Sequence, residues 1–194
     1  LSVRDGRTRS ISDTDKVFLA RTTDGGRSFQ FVPWVVPPAD ACRAGMTAPV
    51  RTSAAQLVVA IRRRSAALPR CWIDCYHSED NGATWAWLSR AGETGSTATN
   101  GNPPALVRLT DGQLCCVFGD RNRAVMVARF SADAGKTWGP EFVLRDGCKS
   151  VNGFRDLGYP RLFQRPDGWL VAVYFWCSPE RPETHIEATL FDAP

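Results

Sequence analysis

The chain has 194 residues, 43% of them hydrophobic and including seven tryptophans and ten phenylalanines, which is ample apolar material for a sizeable core. Its net charge of +4 permits an anionic ligand, but no basic run interleaved with aromatics marks a nucleic-acid partner, and Arg62-Arg63-Arg64 is too short to be one. No apolar stretch reaches the roughly 18 residues of a bilayer-crossing helix, so no membrane partner is expected.

In chain order, short strands alternate with turns. Ser2-Val3-Arg4 reads as the end of a strand. "TTDGGRSFQF" (Thr22 to Phe31) is an acidic, glycine-rich turn that lands on an aromatic residue. "MTAPVRTSAAQLVVAIRRR" (Met46 to Arg64) reads as strand, turn, strand; "CWIDCYH" (Cys71 to His77) then leads into "SEDNGATWAW" (Ser78 to Trp87). There Asp80-Asn81-Gly82 supplies residues that tolerate left-handed backbone and cap their own amides. The cycle restarts with "PPALVRLTDGQLCCVFGDR" (Pro103 to Arg121), a strand pair about Asp111-Gly112, followed by "SADAGKTWGP" (Ser131 to Pro140). A further pass, "YPRLFQRPDGWLVAVYFWC" (Tyr159 to Cys177), turns at Asp167-Gly168 and precedes one more strand, "HIEATLFD" (His185 to Asp192).

The period is regular. The acidic turns begin at Thr22, Ser78 and Ser131, 56 and 53 residues apart, and Asp111 stands 56 residues before Asp167. Runs such as "LVVAI" and "WLVAVYFW" are apolar at every position, so both faces of those strands should be covered. Nothing carries helical periodicity. Four-stranded units stacked face to face at this interval describe an all-β propeller. Its blades fall at 1–45 (incomplete), 46–101, 102–157 and 158–194 (lacking the last strand), a single partial domain of about three and a half blades. The seven cysteines include Cys71 and Cys75 in one strand and the adjacent Cys115 and Cys116 in another, spacings unlike a zinc site. They read as small buried thiols in a reducing, cytoplasmic compartment, and no metal or cofactor is expected.

The repeated turn S-x-D-x-G-x-T-W is the Asp-box, or bacterial neuraminidase repeat. It is matched in full at Ser78, Asp80, Gly82, Thr84 and Trp85, and again at Ser131, Asp133, Gly135, Thr137 and Trp138. A conservative version stands at Thr22, Asp24, Gly26, Ser28 and Phe29. On these motifs the whole chain resembles the sialidase family. The resemblance implies a six-bladed propeller of which this chain is the C-terminal part, with the missing N-terminal blades of the same protein as its partner. It also implies a structural box, in which the aspartate accepts amide hydrogen bonds and the tryptophan wedges into the blade.

Alternating strand direction puts the Asp-Gly turns and Asp-boxes at one end of the blades and the variable residues at the other. The variable end carries Arg4, Arg62 and Arg121 near second-strand ends, and Asn102, Tyr159 and Arg161 at first-strand starts. Asp156 lies just ahead, and Trp72, Asp74 and His185 begin third strands. Several guanidinium groups in one axial cup suit a carboxylate ligand, because each offers a planar two-point donor.

Tyr159 stands eight residues before Asp167, where the resemblance implies the nucleophile. A phenol suits an anomeric carbon whose own carboxylate would repel a carboxylate nucleophile. The expected catalytic residues are Tyr159 and Asp156, and the expected substrate-binding residues are Arg62, Arg121, Arg4, Asn102 and Arg161. Pro103 occupies the place of the family's activating glutamate, which leaves Asp156 or Glu187 to substitute. The expected function is a sialidase-type glycoside hydrolase acting on a terminal acidic sugar. The alternatives are a non-catalytic propeller that binds carbohydrate or protein, and hydrolysis of a neutral glycan by Asp74 with Asp156.

Overall fold

The computed structural model describes residues 2–3, 15–65, 67–149 and 156–194, and among them none is helical. Four antiparallel sheets follow one another along the chain. The first orders β1 (Ser2–Val3), β2 (Lys16–Arg21) and β3 (Gln30–Trp34). The second orders β4 (Arg43–Arg51), β5 (Leu57–Arg64), β6 (Cys71–Ser78) and β7 (Ala86–Gly95). The third orders β8 (Ala105–Arg108), β9 (Leu114–Asp120), β10 (Val125–Ser131) and β11 (Phe142–Arg145). The fourth holds β12 (Gly158–Gln164), β13 (Leu170–Trp176) and β14 (His185–Phe191).

Three apolar cores fill the three spaces between consecutive sheets. Strand alternation assigns the residues. On β5, Val59 and Ile61 face the first sheet with Val17, Val36 and Tyr76, whereas Val58 and Ala60 face the third with Phe118 and Val127. On β9, Cys116 joins the core towards the second sheet and Cys115 the core towards the fourth, so the neighbouring thiols serve opposite faces. This double coverage accounts for the unbroken apolar runs of the middle strands.

The Asp-box turns repeat one hydrogen-bond pattern. Asp80 Oδ1 accepts from the Thr84 amide at 2.8 Å and Oδ2 accepts from the Thr84 hydroxyl at 2.6 Å, while the Ser78 hydroxyl donates to Oδ1 at 2.8 Å. Asp133 repeats these with Thr137 and Ser131, and Asp24 with Ser28 and Thr22. Trp85 closes its own turn by donating to the Gly82 carbonyl at 3.1 Å. Trp138 instead reaches the previous blade, donating to Ser89 Oγ at 3.0 Å.

Register separates the two ends of a blade. Leu57 pairs with Ser78 and Arg64 with Cys71, so the Asp-box and the arginine run lie at opposite ends of the second sheet. The first strand of that sheet begins at Arg43, three residues ahead of the expected Met46, because Met46 is the extra residue of a bulge between Gly45 and Thr47. Both ends of the stack show apolar side chains: Phe29, Phe31 and Trp34 on the first sheet, and Phe163, Ile186 and Leu190 on the fourth.

Candidate functional site

The arginine end of the blades is organised around the start of β12. Gly158 pairs with Phe175, and the register then slips before Arg161, which leaves Tyr159 in a bulge. Its φ of 52° is left-handed, a conformation that costs a bulky residue roughly 1–3 kcal/mol and persists only where its surroundings enforce it. Two contacts enforce it. The ring stacks on Phe175 with centroids 5.5 Å apart, and the backbone beneath rests on Asn102. A Cβ built on Gly158 would stand 1.8 Å from Asn102 Oδ1, and one on Gly119 would stand 2.8 Å from Asn102 Nδ2. Asn102 is fully buried, and neither of its amide atoms has a hydrogen-bond partner among the described residues. It thus packs directly beneath the bulge at Gly158.

The same bulge occurs two blades earlier. Met46 stands eight residues before Ala54, as Tyr159 does before Asp167, and its φ is 54°. Both side chains are about 40% exposed. The residue preceding Met46, Gly45, pairs with Arg62 across the β4–β5 ladder, and the neighbour recorded at the Arg62 guanidinium is Tyr159.

Arg62 is 5% exposed, and its Nη1 has no hydrogen-bond partner among the described residues. Burial lowers its pKa, and the adjacent Tyr159 hydroxyl opposes that shift by electrostatic attraction and hydrogen bonding. Arg121 is equally buried but held from several sides. Its Nη1 donates to the Thr99 and Gly101 carbonyls, both at 3.1 Å, and its Nε to the Leu157 carbonyl at 3.3 Å. Its Nη2 stands 3.5 Å from Asp156 Oδ1. Burial lowers the pKa of Arg121 too, against the pull of Asp156 and then Tyr159. Tyr159 is thus the common neighbour of two buried cations, and Asp156 is tied to the second.

The remaining expected residues lie elsewhere. Arg161 is exposed, bends onto the Pro160 carbonyl at 3.0 Å, and lines the axial cavity with Thr47 and Leu106. Arg4 lies outside the described residues. Asp74 is buried and engaged by Arg90 at 3.2 Å and Arg63 at 3.6 Å. Glu187 is bound to His185 Nε2 at 3.0 Å and to Arg145 at 3.2 Å on β14. Sequence reasoning missed Gly158, Phe175 and the matched bulge at Met46. The one available signal was the Gly-X pair standing at the same interval before the turn in both blades.

This succession of stacked antiparallel sheets is the arrangement of β-propeller blades. The chain belongs to the BNR repeat-like domain family, whose pattern matches residues 10–173. A search of curated protein sequences finds no match. Among solved structures it is similar to the α-L-arabinanase of Penicillium chrysogenum complexed with arabinobiose, at 20% identity and a TM-score of 0.68, covering 91% of this chain and 55% of that one. The GH93 α-L-arabinofuranosidase of Fusarium graminearum, also with arabinobiose, matches at 18% identity, TM-score 0.68 and the same coverage. A Hadza microbial sialidase matches at 16% identity and TM-score 0.58, covering 97% of this chain and 40% of that one. The chain thus spans about half the length of the arabinan-degrading relatives it matches.

Proposed function

We propose that this chain forms the C-terminal part of a six-bladed propeller hydrolase that removes a terminal acidic sugar in the manner of a sialidase. The observation that carries this reading is Arg62: a buried guanidinium, against the Tyr159 hydroxyl, with one nitrogen lacking a partner among the described residues. A buried cation with an unfilled donor is costly until an acceptor reaches it, and a carboxylate supplies that acceptor together with the opposite charge. Tyr159 then acts as nucleophile at the anomeric carbon beside that carboxylate. Arg62 stabilises negative charge developing on the phenol oxygen, and Asp156, held by Arg121, serves the proton transfers. Arg4 and Arg161 extend the substrate-binding set, and Asn102 holds the bulge from below.

One observation favours a second reading. Two of the similar solved structures hold arabinobiose, which fits a neutral pentose glycan hydrolysed by two carboxylates. Against it, the engagement of Asp74 by Arg63 and Arg90 removes the partner expected for Asp156. The whole protein is assayed on a fluorogenic α-sialoside and on a matching α-L-arabinofuranoside. Tyr159→Phe is expected to lower sialoside turnover by more than about 10³-fold while leaving the thermal midpoint in place. Equal turnover by wild type and variant, or cleavage of the arabinoside alone, overturns the assignment.

A further inference from the structure

Two cysteines that the sequence reading left unpaired meet inside the core between the third and fourth sheets. Cys148, just after β11, and Cys177, at the end of β13, have their Sγ atoms 3.3 Å apart. Both thiols approach the same backbone oxygen, the Asp156 carbonyl, at 3.8 and 3.7 Å. The backbone holds them in place: the Lys149 amide donates to the Cys177 carbonyl and the Cys148 amide to the Ala124 carbonyl, each at 3.3 Å. A disulfide brings its sulfurs to about 2.05 Å, so the two Sγ atoms at 3.3 Å have little over 1 Å left to close.

We propose that Cys148 and Cys177 form a disulfide that cross-links the two last blades beneath Asp156. The oxidant is a small disulfide such as oxidised glutathione. The Cys148 thiolate attacks one sulfur of the oxidant and releases the first glutathione thiolate, and the Cys177 thiolate then displaces the second. The protein gives up two protons and two electrons, and one disulfide becomes two thiols. Cys148 is the less deeply buried of the pair, 4% against 0% exposed, and so meets the oxidant first. Burial and the neighbouring Cys177 push its thiol up to about 12, so thiolate is scarce and formation accelerates about tenfold per pH unit between about pH 7 and 9. Once made, the bond takes both sulfur donors away from the Asp156 carbonyl. This inference does not depend on which sugar the cup accepts.

The test uses the purified protein equilibrated in oxidised and reduced glutathione, free thiols then blocked, and unreduced digests mapped by mass spectrometry. The expected result is a Cys148–Cys177 peptide pair that separates on reduction, with the oxidised form melting about 5–10 °C higher. Cys148→Ser and Cys177→Ser each lose both effects, and Cys42→Ala keeps them. The mapping needs no variant and stands if the serine proteins fail to fold. Recovery of both cysteines individually blocked after exposure, a lasting glutathione adduct on Cys148, or linkage of either residue to another cysteine overturns the proposal.

Discussion

Gly158 concentrates the requirements of the site in one missing methyl group. Its own φ of 127° is one that side chains rarely adopt, and a Cβ there would overlap the buried Asn102 amide. Gly158→Ala is therefore expected to destabilise the protein by about 3 kcal/mol, from overpacking and backbone strain together. Adding Asn102→Gly removes the object of the clash, so part of that loss should return in the double variant. Urea titration of the wild type, both single variants and the double variant measures this coupling. Strictly additive losses would mean that the two residues do not meet. The sequence places Tyr159 at the right interval before Asp167, but a glycine followed by a tyrosine reads equally well as an ordinary strand start. The left-handed turn becomes visible only when the amide beneath it is seen.

Among the elements, the Asp-box turn depends on ionisation. Hydrogen bonds from the Thr84 side chain and amide, and from Ser78, hold the Asp80 carboxyl down to about 2. For Asp133, burial pushes upward, and bonds from Thr137 and Ser131 overcome it to bring the value to about 2. A folded-state pKa below the ordinary 3.8 means that these turns contribute stability present above about pH 4, lost as pH falls towards about 2. Urea midpoints measured from pH 5 down to pH 2 should therefore fall most steeply in that lower window. Asp80→Asn carries no charge to lose, so its decline should be shallower than the wild type's. Parallel curves would show that the turn holds equally well with a neutral side chain. This element was fully legible, because every donor to the aspartate lies within four residues of it in the chain.

At the scale of the whole molecule, polar bonds fasten one blade to the next beside the apolar cores. Ser89 on β7 donates to the Gly135 carbonyl at 2.5 Å and accepts from Trp138 Nε1 at 3.0 Å. Arg129 on β10 reaches back to the Ala91 carbonyl at 2.7 Å. Ser89→Ala leaves a buried carbonyl and an indole N–H without partners, with an expected loss of about 1–3 kcal/mol. Trp138→Phe tested alongside it should restore little, since the Gly135 carbonyl stays unpaired in both. A loss below about 0.5 kcal/mol for Ser89→Ala would place the fastening between blades in the apolar contacts alone.

The blades, their order, and the opposition of the box end to the arginine end were determined by the sequence, because all three follow from periods of two residues and of about 55 residues. The facing of Cys115 and Cys116 onto different cores follows from the same alternation. Only the tertiary structure decided that Arg62 meets Tyr159, that Asn102 lies beneath Gly158, and that Cys148 touches Cys177. Each of these contacts joins residues of different blades, or of separate strands and loops, at a distance set by how far one sheet rotates and bulges against the next. That rotation arises from the packing of side chains in the spaces between sheets, and no local pattern along a single strand encodes it.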